Sequence, residues 1–209
     1  MKRLGIRYVT NADGKVWLKV RHKTGGTYPP LPQFLKVEVL DLEGGREHFK
    51  ILEGRNKGKI ASVVFKSPSS SYLSDKLRHK PGQMVRFQLT PDVENVQTLS
   101  GTVLIRHEKI PGTFCKFDAI TMARKPVPMG THDLEIPYEI HPKASGYSDW
   151  SPFVTTWFRV GHAGDRFLHP GRLSFGCATV RDLSAWTRIY NVLIAARSND
   201  RSVGRISVS

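Results

Sequence analysis

The sequence predicts a mainly β protein, in which a small all-β domain precedes a β-rich domain that carries one C-terminal helix. Short β-branched and aromatic runs alternate with Gly- and Pro-rich turns through the first half, and this pattern restarts after the polar stretch Thr90–Asn95. Apolar residues recur at helical spacing only near the C-terminus. A chain of 209 residues accommodates two small domains. We therefore expect domains at residues 1–95 and 96–209.

Strand-like segments separated by turns fill the first domain. Gly5 to Thr10 and Lys15 to Arg21 flank the turn Asn11–Gly14, whose Asp-Gly pair favours a β-hairpin. Three further strands are predicted at residues 34–40, 49–52 and 59–65. This strand spacing is typical of a small barrel or sandwich.

The second domain combines strands with a helix. Thr155–Gly161 is predicted to be a buried strand that delivers His162 at its end, and Ser174–Val180 is a strand-like segment that delivers Cys177. Asp182 can cap the helix that follows. The apolar residues of this helix are Leu183, Trp186, Ile189, Tyr190, Leu193 and Ile194.

The composition and net charge of the chain indicate which partners it favours and whether it has a membrane-spanning segment. The net charge of +14 favours polyanions such as nucleic acid, acidic membranes or a bacterial wall. No apolar run approaches the roughly 20 residues of a membrane-spanning helix. The basic N-terminus has no apolar stretch behind it. Either the protein is made without a secretory signal, or a leader lies outside this chain.

His162 and Cys177 are the most informative pair, because they stand 15 positions apart and Cys177 ends the stretch Ser174-Phe175-Gly176-Cys177. Thiol acyl transfer needs a base to generate the thiolate, and a small residue that lets the backbone approach the reacting carbonyl. The pattern therefore indicates a cysteine enzyme whose thiol alkylates well below about pH 8. The other cysteine, Cys115, is expected to be a small buried apolar residue.

This pattern resembles the active-site signature of the L,D-transpeptidase (YkuD-type) family, in which a histidine precedes Ser/Thr-x-Gly-Cys. The resemblance covers roughly residues 96–195 and implies a YkuD-like β-sandwich or barrel. By resemblance Cys177 is the nucleophile and His162 its base, and Gly176 and its neighbours supply oxyanion-hole N–H groups. Ser174 is implied to support the loop and to orient the base through a hydrogen bond. Phe175 stands where the family often has His, and Thr179 where it usually has Arg or Asn.

Several residues near this motif are candidates for substrate contact. His169 can contact the substrate or serve as a second base. Arg166, Arg172 or Arg181 can receive a substrate carboxylate. Tyr147 and Trp150 lie in a polar loop, where exposed aromatic residues suggest recognition or a lid.

The resemblance implies a peptidoglycan-modifying enzyme that acts in the bacterial periplasm or cell wall without a cofactor. Cys177 would attack the carbonyl of the third residue of a stem peptide and expel the terminal D-amino acid. The acyl-enzyme would pass to an amine, in L,D-transpeptidation or D-amino-acid exchange, or to water, in L,D-carboxypeptidation. The partners expected are stem peptides and wall polyanions. Without a leader, the chain would be an antibacterial effector that meets a secretion machinery and an immunity protein.

Two other function classes stay open at this point. His162, Asp165, His169 and Cys177 offer N, O and S ligands to zinc, although their spacing matches no zinc motif. The basic first half can instead belong to a non-catalytic polyanion- or nucleic-acid-binding protein. Its stretch Lys15–Arg21 interleaves one aromatic residue with Lys and Arg.

Overall fold

The structure is a computed structural model that describes residues 4–10, 17–22, 25–27, 30–67, 71–75, 83–90, 97–107, 115–197 and 199–209. The chain divides into two compact units, Met1–Arg78 and His79–Ser209. Both units are built mainly from β-strands, as predicted. In the described part of the chain, no helix has the length and apolar character needed to cross a bilayer.

The first unit is a six-stranded sheet accompanied by a two-stranded one. The larger sheet has the order β3-β7-β6-β5-β1-β8, and β2 pairs with β4. One face of the larger sheet buries a continuous apolar core that includes Val37, Phe49 and Ile51. The strands are β1 (Gly5–Val9), β2 (Trp17–Leu18), β3 (Arg21–His22), β4 (Leu31–Pro32), β5 (Lys36–Glu43), β6 (Arg46–Ile51), β7 (Ile60–Val64) and β8 (Leu73–Ser74).

The strand pairing of the first unit agrees with the sequence prediction for three strands and differs for one hairpin. The strands expected at 34–40, 49–52 and 59–65 are confirmed as β5, β6 and β7, which pair in sequence order. The hairpin expected across Asn11–Gly14 is wrong, because β1 pairs with β5 and β8, whereas Trp17–Leu18 pairs with β4. The Asn11–Gly14 turn itself lies outside the described residues.

The second unit is a closed eight-stranded barrel with the order β10-β11-β15-β14-β13-β12-β16-β9. Alternate residues point inward, and Phe87, Leu134, Phe158, Leu168 and Ile206 are fully buried. A 3-10 helix spans Pro142–Tyr147. The strands are β9 (Gln83–Thr90), β10 (Thr98–His107), β11 (Cys115–Met122), β12 (Gly130–Glu135), β13 (Phe158–Val160), β14 (Phe167–Pro170), β15 (Ala178–Val180) and β16 (Ser202–Val208).

The structure moves the boundary between the units from 95/96 to 78/79. Strand β9 lies within residues 1–95, the range expected for the first domain, yet it pairs antiparallel with β10 and parallel with β16. The polar stretch at 90–95 thus stands between two paired strands of one barrel, although residues 91–96 lie outside the described part.

The predicted helix is present as α1 (Trp186–Ala195), and it buries the expected apolar face. Asp182 Oδ1 accepts the N–H groups of Ser184 and Ala185 just before the helix begins. The helix does not end the domain, because β16 follows it and closes the barrel between β12 and β9. Sequence reasoning missed β16, although Val203, Ile206 and Val208 are buried.

Candidate active site

A single hydroxyl group organises the loop that carries Cys177. Strands β14 and β15 run parallel, so the chain from Gly171 to Cys177 must cross back along the barrel surface. Ser174 Oγ donates to the Cys177 carbonyl oxygen at 2.9 Å and accepts the Cys177 N–H at 3.1 Å. The Cys177 N–H is therefore engaged with Ser174. The role expected for Ser174, support of the loop, agrees with this geometry.

Gly176 is the second element that fixes this loop. Its φ of +98° lies in the left-handed region that favours glycine. A Cβ atom at this position would overlap the Lys125 carbonyl oxygen and come within 2.9 Å of Arg166 Nε. Within the described part of the chain, no hydrogen bond uses the Gly176 N–H. The Gly176 N–H is therefore available to a ligand.

The Cys177 thiol is buried, with 6% of the residue exposed. Burial raises its pKa, and the Asp165 carboxylate acts in the same direction. The Phe167 N–H and the cations of Arg166 and Lys143 partly oppose this effect. The sulfur donates weakly to the Asp165 carbonyl oxygen, with 3.8 Å between Sγ and O. In this state Cys177 is a thiol rather than an activated thiolate.

His162 lies in the turn between β13 and β14, and its ring contacts two carboxylates. Nε2 is 3.0 Å from Asp133 Oδ2 and 3.5 Å from Ser202 Oγ, and Nδ1 is 3.7 Å from Glu135 Oε1. These partners belong to β12 and β16. Cys177 instead directly precedes β15, which pairs with the edge of β14 opposite to β13. The structure therefore does not bring the expected base into hydrogen-bond contact with the thiol. Asp133 and Glu135, which sequence reasoning missed, alternate along β12 and so share its outer face.

The turn that carries His162 also contacts Cys177. Asp165, three residues after His162, provides the carbonyl oxygen near the sulfur, and Arg166 supplies one of the nearby cations. Gly161 and Gly164 in the same turn have φ of 77° and 81°. One short turn, with two glycines in the left-handed region, therefore carries His162 and also contacts Cys177.

His169 is part of the packed barrel wall and does not face an open site. Its Nδ1 lies 2.8 Å from the Pro170 carbonyl oxygen, and its Nε2 lies 3.0 Å from Thr179 Oγ1. The ring stacks on Trp157 at 3.9 Å, and His141 stacks on the opposite face of the same indole. Burial lowers the pKa of His169 to about 4. Both ring nitrogens are occupied, so the expectation that His169 contacts substrate or acts as a second base is wrong for this arrangement.

The other residues expected to bind substrate divide into two places. Tyr147 lies near the cysteine loop, where its hydroxyl accepts the Arg172 N–H at 3.4 Å. The Arg172 side chain and Trp150 are exposed, and so are Leu173 and Phe175 in the same loop. Arg181 lies elsewhere, in a cleft of about 480 Å³ that Lys116, Asp118 and Asp182 also line.

Lys143 and Arg166 are cations that the sequence motif did not single out as neighbours of the thiol. Lys143 is the second residue of the 3-10 helix Pro142–Tyr147, and its Nζ lies 5.8 Å from the centre of the Phe175 ring. Arg166 pairs with Asp165, and 2.6 Å separates the two charged atoms. No sequence spacing connects Lys143 with Cys177, so only the fold reveals that the charge of Lys143 acts on the thiol.

The zinc alternative at this site loses its support. Among the residues that the structure describes, His162, Asp165, His169 and Cys177 do not form a group of ligand atoms close enough to share an ion. His169 uses both nitrogens within the barrel, and His162 turns to Asp133.

Comparison of the chain with protein-family models, curated proteins and solved structures found no match.

Proposed function

We propose that the protein is a cysteine acyltransferase that acts on peptidoglycan stem peptides, with Cys177 as the nucleophile. The observation that carries this proposal is the construction of the cysteine loop. Ser174 Oγ bonds both backbone groups of Cys177, and Gly176 has a left-handed φ in a position with no room for a Cβ atom. A glycine in this conformation also lets the backbone approach a bound ligand closely.

Activation of the thiol requires help that the resting arrangement supplies only in part. The Phe167 N–H and the cations of Arg166 and Lys143 favour the thiolate, but burial outweighs them. We propose that His162 acts as the base after the turn at 161–166 rearranges and releases the ring from Asp133. Catalytic hydrogen bonds that are long or absent without substrate often form only in the substrate complex.

The proposed reaction proceeds in two steps. The Cys177 sulfur attacks the carbonyl carbon of the third stem residue, its proton passes to His162, and the Gly176 N–H donates to the developing oxyanion. The C–N bond then breaks, and the D-amino acid leaves as an amine that takes up this proton. An acceptor amine or water attacks the thioester and restores the thiol. Cross-linking, amino-acid exchange and carboxypeptidation differ only in this acceptor.

The surroundings of Cys177 are compatible with an acidic peptide substrate. Arg172 and Lys143 are exposed cations beside the loop, and either can receive a stem-peptide carboxylate. Leu173 and Phe175 are 70% and 66% exposed, so they offer apolar surface to the substrate. In this proposal the protein acts in the periplasm or cell wall.

Purified muropeptides provide the test, with product masses measured after incubation with the full chain. We expect loss of the terminal D-amino acid, and this activity should disappear in Cys177→Ser and fall strongly in His162→Gln. Cys115→Ser is the matched control, because Cys115 is buried at the start of β11. Equal activity in the Cys177→Ser protein would rule out the proposed nucleophile. Loss of activity in Cys177→Ser but not in His162→Gln would reject only the base.

A further inference from the structure

The first unit contains a cluster of three metal-ligand residues that the proposed acyl transfer does not use. Asp41 and Glu43 lie on β5, and His48 lies on β6. Each offers one ligand atom, and these atoms lie within 4.8 Å of one another. We propose that Asp41, Glu43 and His48 bind a divalent transition-metal ion, for which Zn²⁺ is the first choice.

A β-bulge brings these side chains together. The register of β5 and β6 shifts between Val39 and Asp41, so that Val39 faces Phe49 and Asp41 faces His48. Val39 and Phe49 point into the core, whereas Asp41 and His48 are only partly buried. A bulge inserts one extra residue and so turns the side chains that follow it to the other face. Glu43 then shares the face of Asp41, two positions along the strand.

Within the part of the chain that the structure describes, the two carboxylates of the cluster lack an ion-pair partner. Arg46 lies directly across from Glu43, yet its Nε and Nη2 donate to the side chain and carbonyl oxygen of Ser62 at 2.9 and 3.0 Å. Neither Asp41 nor Glu43 forms an ion pair with any residue in the described ranges. Two nearby carboxylates destabilise one another unless a proton or a cation intervenes. This is unexpected in a chain with a net charge of +14.

Two polar atoms of the cluster are also shielded from solvent without a partner. Oδ1 of Asp41 and Nδ1 of His48 are both buried, and neither has a hydrogen-bond partner within the part of the chain that the structure describes. A buried polar group without a partner is unfavourable, and most such groups in folded proteins are satisfied. A bound cation would satisfy the carboxylate oxygen directly and would hold the imidazole in a defined orientation.

The donor set indicates which ions fit. One imidazole nitrogen with two carboxylate oxygens suits Zn²⁺ or Mn²⁺, whereas Ca²⁺ and Mg²⁺ prefer oxygen ligands alone. In the tetrahedral site that Zn²⁺ prefers, ligand atoms each about 2.1 Å from the ion are about 3.4 Å apart. The 4.8 Å spread of the cluster therefore requires the side chains to close by roughly 1.4 Å. Three protein ligands leave a position for water or for a ligand from a partner.

Titration of the full chain with Zn²⁺ by calorimetry tests the proposal, with Cys177→Ser in every protein so that the thiol cannot bind the ion. We expect saturable binding that Asp41→Asn and His48→Gln each weaken at least about tenfold. Glu38→Gln and His132→Gln are the matched controls. Glu38 is an exposed acid on β5 that faces Lys50, and the His132 ring already contacts Pro128 and Met129. These controls should bind Zn²⁺ within about twofold of the parent.

Two further measurements make the outcome independent of folding defects. The metal-free Asp41→Asn protein should unfold at the same temperature as its parent or a higher one, because the substitution removes carboxylate repulsion. Paramagnetic Mn²⁺ added to the unsubstituted chain should broaden the amide signals of residues 41–48 first. Three results would each overturn the proposal. The first is the absence of saturable Zn²⁺ binding, and the second is an affinity of the Asp41→Asn and His48→Gln proteins equal to that of the parent. The third is broadening confined to the second unit. None of these results bears on Cys177.

Discussion

Ser174 Oγ donates to the Cys177 carbonyl oxygen at 2.9 Å and accepts the Cys177 N–H at 3.1 Å. One hydroxyl thus forms hydrogen bonds with both backbone groups of Cys177, the proposed nucleophile. Because the Cys177 N–H donates to Ser174 Oγ, it is not available to donate to an oxyanion. The function of the site therefore depends on how firmly Ser174 and Gly176 hold the loop.

Ser174→Ala should loosen this loop and leave two backbone groups without their partner. We expect the free energy of unfolding to fall by about 1–3 kcal/mol, the cost of unsatisfied buried polar groups. Urea unfolding followed by tryptophan fluorescence measures this, since Trp150, Trp157 and Trp186 belong to the second unit. Ser174→Thr keeps the hydroxyl and is the control. If both variants lose equal stability, the hydroxyl bonds are not the cause.

Gly176→Ala should be among the more disruptive single changes in the second unit. The new Cβ would meet the Lys125 carbonyl oxygen and the Arg166 side chain, and φ is +98°. Gly164→Ala is matched in φ at +81° but has no atom within 4 Å. We expect both variants to lose about 1 kcal/mol from backbone strain, and Gly176→Ala to lose a further ~1–3 kcal/mol from the overlap. Equal losses in the same urea experiment would show that the close approach to Lys125 is relaxed at no cost.

The buried His169 should make folding sensitive to mild acid. Its folded pKa of about 4 lies below the ordinary 6.5, so between these values the unfolded chain binds a proton that the folded chain does not. The contribution is therefore fully present above about pH 6.5 and is lost as the pH falls towards 4, with a slope of at most about 1.4 kcal/mol per pH unit.

Urea unfolding of the parent protein and of His169→Phe at several pH values across this window isolates the contribution of His169. The phenyl ring keeps an aromatic contact with Trp157 but cannot be protonated. The variant should lose stability less steeply as the pH falls. Parallel stability curves for the two proteins would show that His169 is not protonated on unfolding.

Alkylation of Cys177 should report the buried, unactivated thiol. Burial raises its pKa, so in the absence of substrate the rate of reaction with iodoacetamide should rise only above the ordinary pKa of a thiol. This reverses the sequence-based expectation of reaction well below pH 8. Arg166→Gln removes a cation that favours the thiolate and should shift the profile to still higher pH. A profile centred below neutral pH would mean that a base already contacts the sulfur.

Local patterns in the sequence predicted the elements whose partners are near in the chain. The β5–β6 and β6–β7 hairpins and helix α1 follow from alternation and helical spacing within short segments. The partner of β1 was missed because the Asp-Gly signal describes only a turn, whereas β1 pairs with strands from residues 36 onward. Strand β16 was missed because its pairing with β9 joins residues more than 100 positions apart.

In the candidate site too, the contacts between residues near in the chain were predicted, and the contacts between distant residues were not. Ser174, Gly176 and Cys177 form one short motif, and the structure keeps them together. The ring of His162 instead meets Asp133, 29 residues earlier in the chain, because the register of β12 and β13 presents that carboxylate beneath the turn. No local spacing encodes such a competition between two partners for one imidazole.

The proposed reaction requires Cys177 to form a thioester with a stem peptide. Intact-protein mass spectrometry after brief mixing with muropeptides and an acid quench detects this thioester, and peptide mapping locates it. We expect an adduct of the muropeptide without its terminal D-amino acid on Cys177, which is absent from Cys177→Ser and unchanged in Cys115→Ser. Release of the D-amino acid without any adduct on Cys177, or with an equal rate in Cys177→Ser, would rule out this acyl-enzyme.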